Sequence, residues 1–98
     1  MAFIDNYSFH LLENESVRLV INELEKQLED APDDMCRCNE CIVDIAAKAL
    51  NSVKPVYRFS LLGSIYASQS MNDKSYAISV KNAVAEAIEL VTANPAHD

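Results

Sequence analysis

The stretch that decides the fold is Cys36-Arg37-Cys38-Asn39-Glu40-Cys41-Ile42-Val43-Asp44, and the chain continues from it to Lys54-Pro55-Val56-Tyr57-Arg58. All three cysteines of the protein fall at its start, and a helical pattern begins where they end. Apolar residues then recur on one face of a helix, at Ile42, Ile45, Ala46, Ala49, Leu50 and Val53. The spacing predicts a buried central helix from about Asn39, its expected cap, to about Val53. Pro55 ends this helix, and we expect residues 56–60 to form an extended connector.

Two further helices are predicted on either side of the central one. The first begins after the cap Asn14 and ends near Asp30, and the last begins at Lys74 or Ser75 and ends at Thr92. The first buries a stripe made of Val17, Val20, Ile21, Leu24 and Leu28. The last buries a stripe made of Ala77, Val80, Val84, Ala87, Ile88 and Val91.

Shorter elements complete the chain. Residues 1–12 are apolar without a clean period and form an N-terminal arm, and residues 93–98 form a frayed tail. Residues 61–66 are expected to form a short turn or helix, in which Gly63 serves a positive φ angle or a close backbone approach. The sequence therefore predicts one all-α domain over residues 1–98, with three main helices.

Composition limits the function of this domain. The chain has 98 residues, 50% of them hydrophobic, with one Gly and a net charge of −7. A chain this small often dimerises or binds a metal for stability. The acidic charge disfavours duplex nucleic acid, whose binding depends on neutralising phosphates. There is no apolar run long enough to span a membrane and no signal-peptide pattern. With an odd number of cysteines, we expect a reduced, cytoplasmic protein.

Cys36, Cys38 and Cys41 are the candidate metal ligands. Closely spaced thiolates in front of a helix are typical of a structural zinc site, and the helix N-terminus helps to stabilise the anionic sulfurs. A structural zinc takes four ligands, so the fourth would be His10, a carboxylate such as Asp44, a water or a group from a second subunit. Redox chemistry at Cys38 and Cys41, or small buried cysteines without any ligand, are the alternatives.

These motifs together resemble the ComFB family of late-competence proteins. The resemblance rests on Cys36-x-Cys38-x-x-Cys41-x-x-Asp44, then Ala49-Leu50-Asn51, then Pro55-x-Tyr57 and Gly63. It spans roughly residues 14–92, with Asn14 and Leu19-Val20 matching an upstream motif in which Val17 replaces a Glu. The resemblance implies a bacterial α-helical homodimer, zinc in some members, and a role as a receptor for cyclic dinucleotides such as cyclic di-GMP or cyclic di-AMP.

The residues after the central helix suit such a ligand. A cyclic dinucleotide needs cations for its two phosphates, a flat side chain for stacking, and polar groups for its base edges. Lys54, Tyr57 and Arg58 offer the first two, and Asp44 and Asn51 offer the third. Asn14 completes the predicted ligand-binding set. Each has a structural alternative: Tyr57 as a core aromatic, Arg58 as a surface cation, Asn51 as a helix cap, and Asp44 in helix N-terminal charge or in an ion pair with Lys48.

The sequence thus predicts a non-enzymatic signalling protein. It would bind a cyclic dinucleotide as a homodimer and pass the signal to an unidentified partner protein. The alternative is a protein–protein adaptor with structural zinc and no nucleotide ligand, acting through its arm and its acidic first helix. An enzyme is disfavoured because the sequence has no Ser-His-Asp set, no Gly-rich phosphate loop and no paired-carboxylate motif.

Overall fold

Three helices form the body of the protein. The computed structural model describes residues 2–60 and 72–95, and in these residues α1 is Glu15–Leu28, α2 is Asn39–Leu50 and α3 is Lys74–Ala93. Every pair of helices is in contact, and α2 packs most extensively against α3. The predicted all-α class and its three main helices are confirmed, with boundaries within three residues of those expected. The segment around Gly63 and the last three residues lie outside the described residues.

The core lies between the three helices and is almost entirely aliphatic. Val20, Ile45, Ala49 and Val84 are each 0% exposed. The remaining buried apolar residues are Leu24, Met35, Cys41, Val53, Val56, Tyr76, Val80, Ala83, Ala87 and Val91. The stripe predicted for α2 is confirmed, because Ile45, Ala49 and Val53 are buried and the other three residues pack against the core.

The stripe predicted for α1 is partly wrong. Val17 and Ile21 are 39% and 50% exposed, whereas Ser16 is buried beside Val20 and Leu24. The spacing of apolar residues placed the buried stripe of α1 one residue too far towards the C-terminus, because a serine is not counted as apolar. The Ser16 hydroxyl is satisfied by a 2.7 Å hydrogen bond to Asn14 Oδ1, so its burial leaves no polar group unpaired.

The stripe predicted for α3 is confirmed except at its start, where Ala77 is exposed and Tyr76 is buried instead. The Tyr76 hydroxyl donates a 2.9 Å hydrogen bond to the Lys54 carbonyl oxygen. Desolvation raises the pKa of the Tyr76 hydroxyl, an effect opposed by a hydrogen bond with Ser16. Tyr76 therefore fixes the chain that leaves α2, since its ring is in the core and its hydroxyl holds the connector.

That connector forms half of a small antiparallel sheet. Strand β1 is Glu13–Asn14 and strand β2 is Tyr57–Arg58, with Glu13 opposite Arg58 and Asn14 opposite Tyr57. The Glu15 N–H donates to the Val56 carbonyl oxygen at 2.8 Å and extends the pairing. The predicted extended connector is confirmed, and the sheet places it against the start of α1.

The N-terminal arm folds into two single turns of 3₁₀ helix, Phe3–Asn6 and Phe9–Leu11. Its aromatic rings pack on one another, with the Phe3 and Tyr7 centroids 4.8 Å apart. The arm nevertheless leaves its large apolar side chains between 48% and 68% exposed, at Phe3, Ile4, Tyr7, Phe9, Leu11 and Leu12.

Candidate metal centre and anion-binding cavity

The cysteine cluster is built at the start of α2. Cys38, in the extended conformation usual for a helix cap, accepts a hydrogen bond from the Cys41 N–H at 3.4 Å through its sulfur. The expectation that Asn39 caps this helix is wrong, because Asn39 is already its first residue. The Arg37 guanidinium donates to the carbonyl oxygens of Leu28 and Ala31 and ties the segment to the end of α1.

The three cysteine sulfur atoms lie within 4.8 Å of one another. Sulfur atoms that share a tetrahedral zinc at the usual bond length are about 3.8 Å apart, so the cluster fits three ligands of a zinc site. Among the described residues, no histidine or carboxylate lies close enough to all three sulfur atoms to be a fourth member of the cluster, so neither His10 nor Asp44 completes it. The Glu40 carboxylate, which the sequence did not suggest as a ligand, accepts from the Cys38 thiol at 3.5 Å.

The electrostatics of Cys38 oppose ionisation without a metal. The hydrogen bond from the Cys41 backbone lowers the pKa of the Cys38 thiol. Desolvation and the neighbouring Cys36, Cys41 and Glu40 side chains outweigh it and raise that pKa to about 11. The thiol is therefore protonated at neutral pH, and a metal ion that binds there must displace its proton.

A second candidate site surrounds Arg58, whose guanidinium pairs with two carboxylates. Arg58 Nη2 lies 2.7 Å from Glu13 Oε2, and Arg58 Nε donates to Glu15 Oε1. Glu15 also accepts from Arg18 Nε at 3.2 Å. The Arg58 hydrogen bond is the main reason that the pKa of Glu15 lies below its usual value, and Glu15 in turn raises the pKa of Arg58.

These groups line a cavity of about 550 Å³, here called the Arg58 cavity. Its wall contains Glu13, Asn14, Glu15, Val17, Arg18, Ile21, Asn22 and Arg58. The cavity thus combines two guanidinium groups, two carboxylates, two amide residues and the apolar pair that α1 leaves exposed. Its volume falls in the range of small-molecule sites, roughly 300–1,000 Å³.

Of the predicted ligand-binding residues, the structure brings only Asn14 and Arg58 together in this cavity. Asn14 has a structural role there, because its Oδ1 accepts from the Ser16 N–H, the Ser16 hydroxyl and the Val56 N–H. Tyr57 is 58% exposed and does not line the cavity, since successive residues of a strand point to opposite faces.

The other predicted ligand-binding residues also lie outside the wall of the Arg58 cavity. The Lys54 side chain is exposed. Asp44 is half-buried on α2, and among the described residues it forms no ion pair with Lys48. Asn51 is the C-cap residue of α2, with an exposed side chain. A ligand-binding role for these three residues stays a prediction.

Sequence reasoning missed Arg18, Glu13 and Glu15 as members of a site. The Glu15–Arg18 pair has the i, i+3 spacing of a helical ion pair and could have been found. The pairs that join Arg58 to Glu13 and Glu15 span 45 and 43 residues, and no local pattern announces them.

The family described as late competence development protein ComFB matches residues 13–95. The chain belongs to the ComFB family. Its structure is similar to that of the late competence protein ComFB from Bacillus subtilis, with a TM-score of 0.68 and 24% sequence identity, over 86% of this chain and 91% of that one. None of the curated proteins matches the chain.

The family match does not cover the whole chain. The family match begins at Glu13, so the exposed N-terminal arm lies outside it. Within residues 2–60 and 72–95, no helix is long and apolar enough to cross a membrane.

Proposed function

We propose that this ComFB-family protein is a non-enzymatic signalling module that binds a cyclic dinucleotide in the Arg58 cavity. It would act as a homodimer, carry zinc in a structural role at its three cysteines, and pass the signal to a partner protein.

The observation that carries this proposal is the pair of guanidinium groups on one cavity wall. Arg18 and Arg58 both contact Glu15, from opposite oxygens of its carboxylate, so both are held at the same place. Guanidinium groups bind phosphate oxygens through two parallel hydrogen bonds, and a cyclic dinucleotide carries two phosphates. Because Glu13 and Glu15 balance the charge of these two cations, a dianionic ligand would compete with the carboxylates for the guanidinium groups.

The rest of the wall supports the same ligand class. Val17 and Ile21 offer exposed apolar surface to a purine ring, and the amide of Asn22 can hydrogen-bond a base edge. Tyr57 and Lys54 lie on the connector that carries Arg58, outside the cavity wall. In a homodimer, a two-fold axis supplies each group twice, so residues of the partner subunit would complete a site for a ligand that is itself two-fold symmetric.

The proposal gives catalysis no part. Arg58 pairs with both carboxylates of the cavity, Glu13 and Glu15, and the proposal assigns neither of them a catalytic role. Zinc at the cysteines would cross-link the start of α2, and its folding contribution would be its only chemistry.

Calorimetric titration of the zinc-replete protein with cyclic di-GMP and cyclic di-AMP tests the proposal. We expect saturable binding of one of them, weakened about tenfold or more in Arg58→Gln, because a hydrogen bond to a charged group contributes about 1.5–3 kcal/mol. Lys48→Gln is the matched control, since it removes an exposed cation that is not part of the cavity wall. No heat with either ligand from a folded wild-type sample would refute the function. Equal binding by Arg58→Gln would refute the site.

The second candidate function is a protein–protein adaptor. It is favoured by the arm, whose exposed aromatic residues Tyr7 and Phe9 line an almost wholly apolar cavity of about 340 Å³ with Ser8, Leu12 and Phe59. Exposed apolar surface of this kind often marks a binding site for another protein. If neither dinucleotide binds, this surface becomes the leading candidate for function.

A further inference from the structure

The two carboxylates on Arg58 differ in their surroundings. The Glu15 side chain is 12% exposed and is held by both Arg18 and Arg58. The Glu13 side chain is 60% exposed, and within residues 2–60 and 72–95 it forms one ion pair, the 2.7 Å contact with Arg58 Nη2. Glu15 is thus fixed at the base of the ion-pair group, whereas Glu13 covers the outer nitrogen of the guanidinium.

An anion that enters the Arg58 cavity meets this arrangement from the solvent side. The Nη2 atom, which Glu13 occupies, is the position that a phosphate oxygen would take in a bidentate contact. An exposed carboxylate–guanidinium pair is weak, because water and salt screen it and both side chains lose freedom when they pair. Glu13 can therefore be displaced without exposing a buried charge, whereas displacing Glu15 would also break its contact with Arg18.

We infer that Glu13 is a built-in competitor for anions at Arg58, whose carboxylate yields Nη2 to a phosphate oxygen of the ligand while Glu15 stays in place. The inference rests on the proposed function, since it describes how that cavity is regulated. It assigns Glu13 a measurable role, because its carboxylate lowers the affinity of the cavity for phosphate groups.

The backbone around Glu13 is compatible with this exchange. Asn14 Oδ1 holds the Ser16 and Val56 N–H groups, and the Glu15 N–H holds the Val56 carbonyl oxygen. None of these hydrogen bonds uses the Glu13 side chain. The start of α1 and the connector therefore stay joined when Glu13 leaves the guanidinium.

The test compares Glu13→Gln, Glu13→Asp and the control Glu25→Gln in the full chain. Glu25 is an exposed acid of α1 that is not part of the cavity wall, so its variant reports the effect of net charge alone. Cyclic di-GMP and cyclic di-AMP are titrated by calorimetry. Inorganic pyrophosphate is titrated separately, with binding followed by the NMR resonance of the Arg58 Nε–H group.

We expect Glu13→Gln to tighten anion binding about two- to fivefold, the range that corresponds to an exposed ion pair. Glu13→Asp keeps the charge but shortens the reach to Nη2, so it should also tighten binding, by a smaller factor. Glu25→Gln should match the wild type. No tightening by Glu13→Gln would overturn the inference, and so would equal tightening by Glu25→Gln. If Glu13→Asp binds anions with the same affinity as the wild type, the carboxylate acts through its charge alone and not through contact with Arg58. That result would also overturn the inference.

Pyrophosphate separates this inference from the proposed function. If neither dinucleotide binds the wild type but Glu13→Gln binds pyrophosphate more tightly at Arg58, the function is wrong and the competitor role stands. If a dinucleotide binds and none of the anions responds to Glu13→Gln, the receptor stands and the competitor role is wrong.

Discussion

The cysteine cluster and the Arg58 cavity are built in opposite ways. The cluster comes from Cys36, Cys38 and Cys41, which fall within six residues of sequence, and Cys38 also caps α2 by accepting the Cys41 N–H. The cavity joins β1 and the first turns of α1 to β2, more than 40 residues away. It exists only when the small sheet has formed.

The two sites therefore depend on different parts of the fold. A cluster of neighbours in sequence requires one local turn and gains a cross-link when it binds metal. A cavity of distant segments requires their backbone pairing, which here passes through Asn14. Damage to the sheet should therefore affect the Arg58 cavity and spare the cysteines, and loss of metal should do the reverse.

The largest expected effect is that of Asn14→Ala. This change removes the α1 cap and leaves the Val56 N–H without its partner, which should cost about 2–4 kcal/mol of unfolding free energy. Urea denaturation measures it. Asn51→Ala, which removes an exposed amide, is the control and should stay within about 0.5 kcal/mol. Equal stability of the two variants would show that Asn14 does not join the two segments.

Removal of metal from the cysteine cluster should have the next largest effect. A metal present at 100 times its Kd stabilises a protein by about 2.7 kcal/mol, so a chelator should lower the Tm clearly. Metal analysis should give about one zinc per chain in the wild type and none in Cys38→Ser. Ligand binding at the Arg58 cavity should survive chelation below the new Tm. The zinc site would be contradicted if the protein purifies without metal and its Tm does not change when a chelator is added.

Acidification should have the smallest effect, and it reports on the Arg58 cavity. The folded-state pKa of Glu15 lies below 4.5, chiefly through the hydrogen bond from Arg58. The stabilisation that the ionised Glu15 carboxylate provides is fully present above the pKa of Glu15 in the unfolded chain. It is lost as the pH falls through the lower pKa of the folded state. Between pH 5 and 3, we expect the Tm of Glu15→Gln to fall by less than the Tm of the wild type. Glu25→Gln is the control. Parallel Tm curves for the wild type and Glu15→Gln would refute the Arg58–Glu15 contact in solution.

Local patterns predicted much of the fold. The spacing of Ile45, Ala49 and Val53 marks the face that α2 buries, and Pro55 marks where the connector begins. The metal candidates were equally clear, because all three are close in sequence. Periodicity did not place Ser16 in the core, since its burial depends on a hydrogen bond to Asn14 that only the folded chain provides.

The Arg58 cavity could be predicted only in part. Arg58 drew attention as a cation next to Tyr57, but its carboxylate partners are set by the β1–β2 register. The pleat of β2 turns Arg58 and Tyr57 to opposite faces, so Tyr57 does not line the cavity although it is next to Arg58 in sequence. Val17 and Ile21 were predicted to be in the core because an apolar helix residue that lines a cavity has the same sequence spacing as one that is buried inside the protein.

We propose that the ligand binds in the Arg58 cavity and not at the cysteine cluster. The most direct test is ¹⁵N NMR of the zinc-replete protein, including the arginine Nε–H groups, during titration with cyclic di-GMP and then cyclic di-AMP. We predict that the Arg18 and Arg58 Nε–H resonances and the amides of residues 13–22 shift with one of these ligands, while the amides of residues 36–41 do not. Shifts confined to residues 36–41, or none with either ligand, would contradict the account.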